Sequence, residues 1–215
     1  MPAMLKALNA RELAPGLWRW TAWHPEWEQD VGCLALAVGG DLVLVDPQFP
    51  EDDEEVWNEL GSAIEGANDT DVVLTVFFHD RSAGAIRARW PDVRIHAEAG
   101  GIAHIEGVPT HLYRAGDHLP GGLVAQATPR EGEAVLWEAA SGSLIVGDVL
   151  LGQDGGLVIC PAGWLPEGVA RHDMATALTP MLDLPLQRIL VSHGEPVLTK
   201  ARTALQRAIV EAALD

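Results

Sequence analysis

Side chains suited to metal binding or acid–base catalysis follow several apolar stretches of this 215-residue sequence. Carboxylates and imidazoles are ligands for divalent ions such as zinc, and they also transfer protons near neutral pH. In α/β proteins the carboxyl ends of neighbouring strands meet at one edge of a sheet, where ligands commonly bind. The sequence therefore predicts that four strand ends meet in one site. They are Asp46, the run His79-Asp80-Arg81, Asp148 after Gly147, and His193 before Gly194.

The elements that deliver these residues are short apolar strands with helices between them. Apolar runs predict strands at 17–23, 32–38, 42–46, 72–78, 93–96, 123–127, 134–138, 143–146 and 188–192. Helical periodicity predicts helices at 51–64, 82–89, 171–183 and 200–214. The predicted fold class is α/β (α+β), a four-layer αββα sandwich of two β/α halves. The chain length predicts one domain spanning residues 1–215.

The order and spacing of the strand ends resemble the metallo-β-lactamase superfamily. Its motifs read strand-Asp, Thr-His-x-His-x-Asp-His-x-Gly-Gly, Thr-Pro-Gly-His-Thr-x-Gly, Gly-Asp and a late Gly-His-Gly. Here the matching segments are Asp46, 75–84, 128–134, 147–148 and His193-Gly194. The resemblance extends from about residue 31 to 198. It implies the αββα fold and a dinuclear zinc hydrolase that opens esters, lactams or thioesters.

Four histidine positions of that motif carry other residues, and the two apolar ones cannot bind a metal. Val76 and Phe78 stand at the first two histidines, Arg81 at the third and Glu131 at the fourth. The resemblance leaves Asp80 as the motif aspartate, Asp148 as the bridging aspartate and His193 as the last histidine. It assigns Thr75 to the family threonine and Asp46 to a supporting, non-ligand aspartate. The first metal site would keep only Glu131 and Asp148, so the sequence predicts that the dinuclear zinc centre is lost.

Two functions follow from this degraded motif. In the first, Arg81 pairs with the carboxylates, and Asp80, Arg81, Asp148 and His193 form a cofactor-free cleft for an unknown small molecule. In the second, Asp80, Asp148 and His193 hold one divalent metal (zinc, manganese or iron), with Glu131 as a weak additional ligand. That site would hydrolyse an ester, lactone or thioester. An Arg81 side chain directed towards Asp148 favours the first function.

Four side chains are predicted to line the pocket: Trp23, Trp27, Phe78 and His79. By the resemblance, the first hairpin and its loop overhang the active site and carry the two tryptophans. His79 lies one residue out of step with the ligand positions, which predicts that it braces the loop.

The overall composition excludes some partners. A net charge of −17 argues against nucleic acid and anionic membranes, both of which require basic surfaces. Cys33 and Cys160 lie in apolar runs, which predicts buried free thiols. The sequence shows no signal-peptide core and no membrane-length apolar run, so we expect a cytoplasmic protein. Four tryptophans, Trp18, Trp20, Trp23 and Trp27, form a Trp-rich edge, which is the expected contact of a homodimer.

Overall fold

Two β-sheets form the centre of the structure, a computed structural model that describes residues 3–105 and 108–214. The first sheet has seven strands in sequence order: β1 (Arg11–Ala14), β2 (Leu17–His24), β3 (Gln29–Val38), β4 (Asp41–Val45), β5 (Thr70–Val73), β6 (Arg94–Glu98) and β7 (His111–Tyr113). The second contains β8 (His118–Leu119), β9 (Leu123–Ala127), β10 (Ala134–Glu138), β11 (Ser143–Val146) and β14 (Arg188–Val191). Their order is β14-β11-β10-β9-β8. A separate hairpin joins β12 (Leu150–Gln153) to β13 (Gly156–Ile159).

Helices cover the outer faces of both sheets. They are α1 (Ala3–Ala7), α2 (Glu54–Gly66) and α3 (Ala83–Arg89) against the first sheet, and α4 (Arg171–Leu178) and α5 (Ala201–Ala212) against the second. On the outer face of each sheet, side chains from the helices pack against side chains from the strands and form an apolar core. A third core, which includes Leu36, Val43 and Leu136, is built from strands and loops and lies between the sheets. Three apolar layers between four layers of secondary structure confirm the predicted αββα sandwich.

Local sequence explains where the helices begin and which faces they bury. Asp53 caps α2 by accepting a hydrogen bond from the Val56 N–H (3.2 Å), and two glutamates occupy its first turn. The helix therefore begins at Glu54, three residues later than predicted. In α5, Leu205 and Ala208 belong to the predicted apolar face and are buried against the second sheet.

Parallel strand pairs bring the predicted site residues to one edge of the sandwich. β4 pairs with β5, with Val45 opposite Val73, and β11 pairs with β14, with Val146 opposite Val191. Asp46, Asp148 and His193 each follow one of these strands. A hydrogen bond from Gly32 N–H to Ser192 O (2.7 Å) joins the two sheets at this edge.

The segment before His79 differs from the sequence prediction. The predicted strand 72–78 ends as β5 at Val73, and residues Phe77–His79 form a short 3-10 helix. Asp46 holds the intervening chain by accepting a hydrogen bond at Oδ1 from the Thr75 N–H (2.8 Å). Two other predictions also change. Residues 152–168, for which the sequence predicts neither strand nor helix, contain β13 and the end of β12, and the helix predicted at 171–183 becomes 3-10 after Leu178.

Candidate metal centre

Three buried side chains meet at the strand-end edge. Asp148 Oδ1 lies 3.1 Å from His79 Nε2 and 3.0 Å from His193 Nε2. His79 Nε2 and Asp148 Oδ1 have no aligned hydrogen-bond partner, although both atoms are inaccessible to solvent. Buried polar atoms are normally hydrogen-bonded, so atoms that converge without alignment need another partner. Two imidazoles and one carboxylate, with donor atoms within 4.8 Å of one another, form a ligand set for one zinc, manganese or iron ion.

Asp46 fixes the orientation of the His79 ring. Its Oδ2 lies 2.9 Å from His79 Nδ1 and accepts a hydrogen bond from Thr75 Oγ1 (2.5 Å). A carboxylate on one ring nitrogen aims the other at a metal and makes it a better ligand. Asp46 itself adopts a left-handed backbone conformation (φ 46°), a cost that these hydrogen bonds offset. Asp46 thus lies outside the cluster and holds the His79 ring in place.

Charges within the cluster shift the protonation of two of its members. Burial and the nearby Arg81 charge lower the pKa of His79, but Asp46 and Asp148 outweigh them, so the His79 pKa is raised. Burial raises the pKa of Asp148, but His79 and His193 outweigh it and hold that pKa well below its ordinary value. Without a metal, the raised pKa of His79 and the lowered pKa of Asp148 favour the charged form of each group, because each charge stabilises the other. A proton and a metal ion compete for His79 Nε2.

Arg130 and Glu133 form a second layer beside Asp148. Arg130 Nη1 lies 3.4 Å from Glu133 Oε2 and 3.9 Å from Asp148 Oδ2. Glu133 Oε1 accepts hydrogen bonds from the backbone N–H groups of Asp148 (2.9 Å) and Val149 (3.0 Å). Burial raises the pKa of Glu133 to about 7, although Arg130 acts in the opposite direction. Glu133 therefore holds the turn that presents Asp148.

The structure places two predicted ligands outside the cluster. Glu131 is exposed, and the buried glutamate beside Asp148 is Glu133. The Asp80 carboxylate is half-buried and accepts a hydrogen bond from the backbone N–H of its neighbour Arg81 (2.9 Å). The structure groups His79, and not Asp80, with Asp148 and His193. The alternation that directed His79 away from the site applies to an extended strand, whereas a 3-10 turn has a three-residue period.

Arg81 points inward but does not pair with Asp148. Its Nη1 donates to the carbonyl oxygens of Asp46 (2.7 Å) and Gly32 (3.2 Å), and its Nη2 donates to Ser192 Oγ (2.6 Å). The guanidinium carbon lies 5.8 Å from the Trp27 ring centre. Arg81 therefore links the strand ends of both sheets, and Arg130 is the arginine near Asp148.

An aromatic cleft opens above the cluster. Its volume is about 440 Å³, and it is lined by Trp27, Gln29, Phe78, Arg130, Asp148, Trp164 and His193. The Trp27 ring lies 5.9 Å from the His193 ring and stacks on His24 at 4.0 Å, which fixes it over the site. Trp164 contacts His193 from the other side, with ring centres 5.8 Å apart.

The four predicted pocket residues have different positions. Trp27 and Phe78 line the cleft, and the fully buried His79 ring lies 5.7 Å from the Trp27 ring. Trp23 is 58% exposed and lines a separate groove with Leu8. Arg130, Glu133 and Trp164 also lie at this site and were not predicted from the sequence. The Arg130-x-x-Glu133 pair inside a turn between two predicted strands was the available signal for the first two.

Comparison with known proteins shows what this architecture resembles. No family model and no curated protein matches the sequence. Among solved structures, the chain is similar to a metallo-β-lactamase family protein from Thermus thermophilus, with 17% identity, a TM-score of 0.70, and coverage of 94% of this chain and 80% of that one. A β-lactamase domain protein from Burkholderia ambifaria matches at 17% identity and TM-score 0.68, covering 94% and 74%. A metallo-β-lactamase from Pontibacter korlensis matches at 13% and 0.69, covering 94% and 98%.

These similarities show that the chain has the metallo-β-lactamase fold. At such identities they establish the fold alone, and the site must be interpreted from its own residues. No helix within residues 3–105 and 108–214 is long and apolar enough to cross a membrane.

Proposed function

We propose that this protein is a mononuclear metal-dependent hydrolase of a small ester, lactone or thioester, with His79, Asp148 and His193 as the ligands. The observation that carries the proposal is the convergence of His79 Nε2, His193 Nε2 and Asp148 Oδ1 without hydrogen-bond alignment. The Asp46–His79 contact adds the carboxylate partner that metal-binding histidines usually have.

The chemistry required is addition of water to the substrate carbonyl carbon, cleavage of its bond to oxygen or sulfur, and transfer of a proton to the leaving group. A divalent ion in such a site supplies an acidic bound water and polarises the carbonyl. The chain itself supplies the remaining functions. Asp46 orients His79, Glu133 positions the Asp148 turn, and the aromatic rings of Trp27 and Trp164 exclude bulk water from one face of the cleft.

A second candidate function is a metal-free binder of small molecules. Arg130 Nη1 lies 3.9 Å from Asp148 Oδ2, and His79, whose pKa is raised, lies between Asp46 and Asp148. Positive charge on these two side chains would balance the buried carboxylates without a metal ion, so the cleft persists as a binding site in either case.

Metal analysis of protein purified without chelators distinguishes the two functions. We expect about one equivalent of zinc, manganese or iron per chain, and loss of esterase activity on chelation that the same metal restores. His193→Ala should lose both metal and activity. His172→Ala, which removes an exposed histidine with a 65% exposed side chain, is the matched control and should retain both. Protein that binds no metal at stoichiometric concentrations, with zinc, manganese and iron each supplied, would establish the metal-free function instead.

A further inference from the structure

A second concave surface lies apart from the metal cluster. Its volume is about 480 Å³, within the range of about 300–1,000 Å³ that is usual for small-molecule sites. We name it the Trp23 groove, and its lining includes Leu8, Ala22, Trp23, Pro25, Gln48 and Glu51. Within the described structure, it has no lining residue in common with the aromatic cleft above the cluster. The groove is therefore a separate candidate site.

Trp23 presents a large aromatic ring to solvent at this groove. The residue is 58% exposed, whereas Trp18 and Trp20 of the same strand are buried in the core. An exposed indole on an apolar concave surface offers a ligand a large contact area. The open face of an indole also attracts cations, and it does so more strongly than the face of a phenylalanine or tyrosine ring. Trp23 thus favours a ligand that is both apolar and positively charged.

The polar groups of the groove favour the same kind of ligand. Glu51 is exposed and is the one charged residue among the described residues that line the groove. Gln48 is buried, and its Nε2 donates to Phe49 O (3.4 Å), which leaves Oε1 without a donor from the described residues. Buried acceptors are normally hydrogen-bonded, so this oxygen is open to an N–H group in the groove. A carboxylate and an amide oxygen both accept hydrogen bonds from an ammonium group.

Further carboxylates surround the groove. Glu26 follows Pro25 in the chain, Asp52 follows Glu51, and both are exposed. Asp30 lies directly opposite Trp23 in the β2–β3 pair, where the side chains of paired residues are neighbours. A surface lined by one sign of charge raises the local concentration of ions of the opposite sign. A second copy of this chain, whose net charge is −17, would instead meet like charge here.

We propose that the Trp23 groove binds a small organic ammonium ion with an apolar body, such as an arylalkylamine. The ammonium group contacts the Trp23 ring face, the Glu51 carboxylate and Gln48 Oε1, and the apolar body packs on the groove wall that includes Leu8. The inference goes beyond the proposed hydrolase function, because no residue of the metal cluster takes part in this binding.

Calorimetric titration of the purified protein with 2-phenylethylamine and with its neutral analogue 2-phenylethanol tests the proposal. The amine should bind about tenfold more tightly than the alcohol, as expected when a cation–π contact and charge-assisted hydrogen bonds act together. Trp23→Leu should weaken amine binding by about fivefold or more, and Trp23→Phe should retain part of the affinity. Glu51→Gln should reduce the preference for the amine over the alcohol.

Trp164→Leu is the matched control, because it removes a partly exposed indole from the aromatic cleft and leaves the Trp23 groove intact. Its affinity for the amine should equal that of the wild-type protein. Both tryptophan side chains are exposed, so we expect the variants to fold, and circular dichroism verifies this.

Equal affinities of the wild-type protein for amine and alcohol, or no saturable binding of the amine at millimolar concentration, would overturn the proposal. Amine binding that survives Trp23→Leu and is lost in Trp164→Leu would overturn it as well, since the amine would then occupy the aromatic cleft. Sedimentation that shows a dimer dissociated by Trp23→Leu would also contradict it, because a second copy would then cover the groove.

Discussion

Replacement of His79 by glutamine tests the proposed ligand set of His79, Asp148 and His193 most directly. Glutamine keeps a polar side chain next to Asp46 but lacks the imidazole Nε2 that points at Asp148. Loss of an outer-shell partner typically lowers metal affinity by about 10–100-fold, so loss of a ligand should cost at least about 100-fold. That factor corresponds to about 2.8 kcal/mol of binding free energy.

Two further variants calibrate this result. Asp46→Asn removes the charge behind His79 and should weaken metal binding by about 10–100-fold. Asp80→Asn is the matched control, since the Asp80 carboxylate contacts only the Arg81 backbone N–H in the described structure, and it should change the affinity by less than about twofold. Affinities are measured by competition with a chromophoric chelator, on variants whose folding is verified by circular dichroism.

Loss of the metal from Asp80→Asn together with its retention by His79→Gln would contradict the proposal that His79, and not Asp80, is a ligand. That pattern would restore the ligand set that the sequence motif suggested, and it would place the 77–80 segment in a different conformation from the 3-10 turn described above.

Two further predictions concern stability. Arg81→Met should lower the free energy of unfolding by about 3 kcal/mol or more, because it removes charged hydrogen bonds to Asp46 O, Gly32 O and Ser192 Oγ that link both sheets; urea denaturation would show a smaller loss if these bonds contribute little. In metal-free protein, the free energy of unfolding should fall as the pH rises through neutrality. The raised pKa of His79 and the Glu133 pKa of about 7 mean that the folded state holds protons the unfolded state has lost. His79→Gln should make this decline shallower. An unchanged slope would contradict the claim that His79 binds a proton more tightly in the folded state than in the unfolded state. Asp148 acts in the opposite direction. Because its pKa is lowered in the folded state, its contribution to the free energy of unfolding is lost only as the pH falls below about 4.

Much of the architecture follows from the sequence alone. Short apolar runs separated by turns, and amphipathic stretches such as the one that forms α5, predict the strands and helices because burial requires one apolar face. The polar residues at strand ends predict the site's location, since parallel strands deliver their carboxyl ends to one edge. Asp148 and His193 meet there, and Asp46 supports them.

Tertiary structure decided which third side chain joins Asp148 and His193, and which arginine lies near Asp148. In an extended strand, side chains alternate between faces, so the motif aligned Asp80 with the ligand positions and directed His79 away from them. In the structure the strand ends at Val73, the Thr75 N–H donates a hydrogen bond to Asp46, and the chain turns through Phe77–His79 with a period near three. His79 consequently points at Asp148.

The positions of Arg81 and Arg130 likewise could not be predicted from the sequence. Both are arginines close in sequence to predicted ligands, and their types do not reveal which one approaches Asp148. Arg81 donates to two backbone carbonyls and one serine hydroxyl at the junction of the sheets. Arg130 lies in the turn before β10, and this turn directs its side chain towards Asp148. Sequence thus determined which residues reach this edge. Contacts between segments far apart in the chain decided which side chains face one another, because those contacts exist only after the two sheets pack.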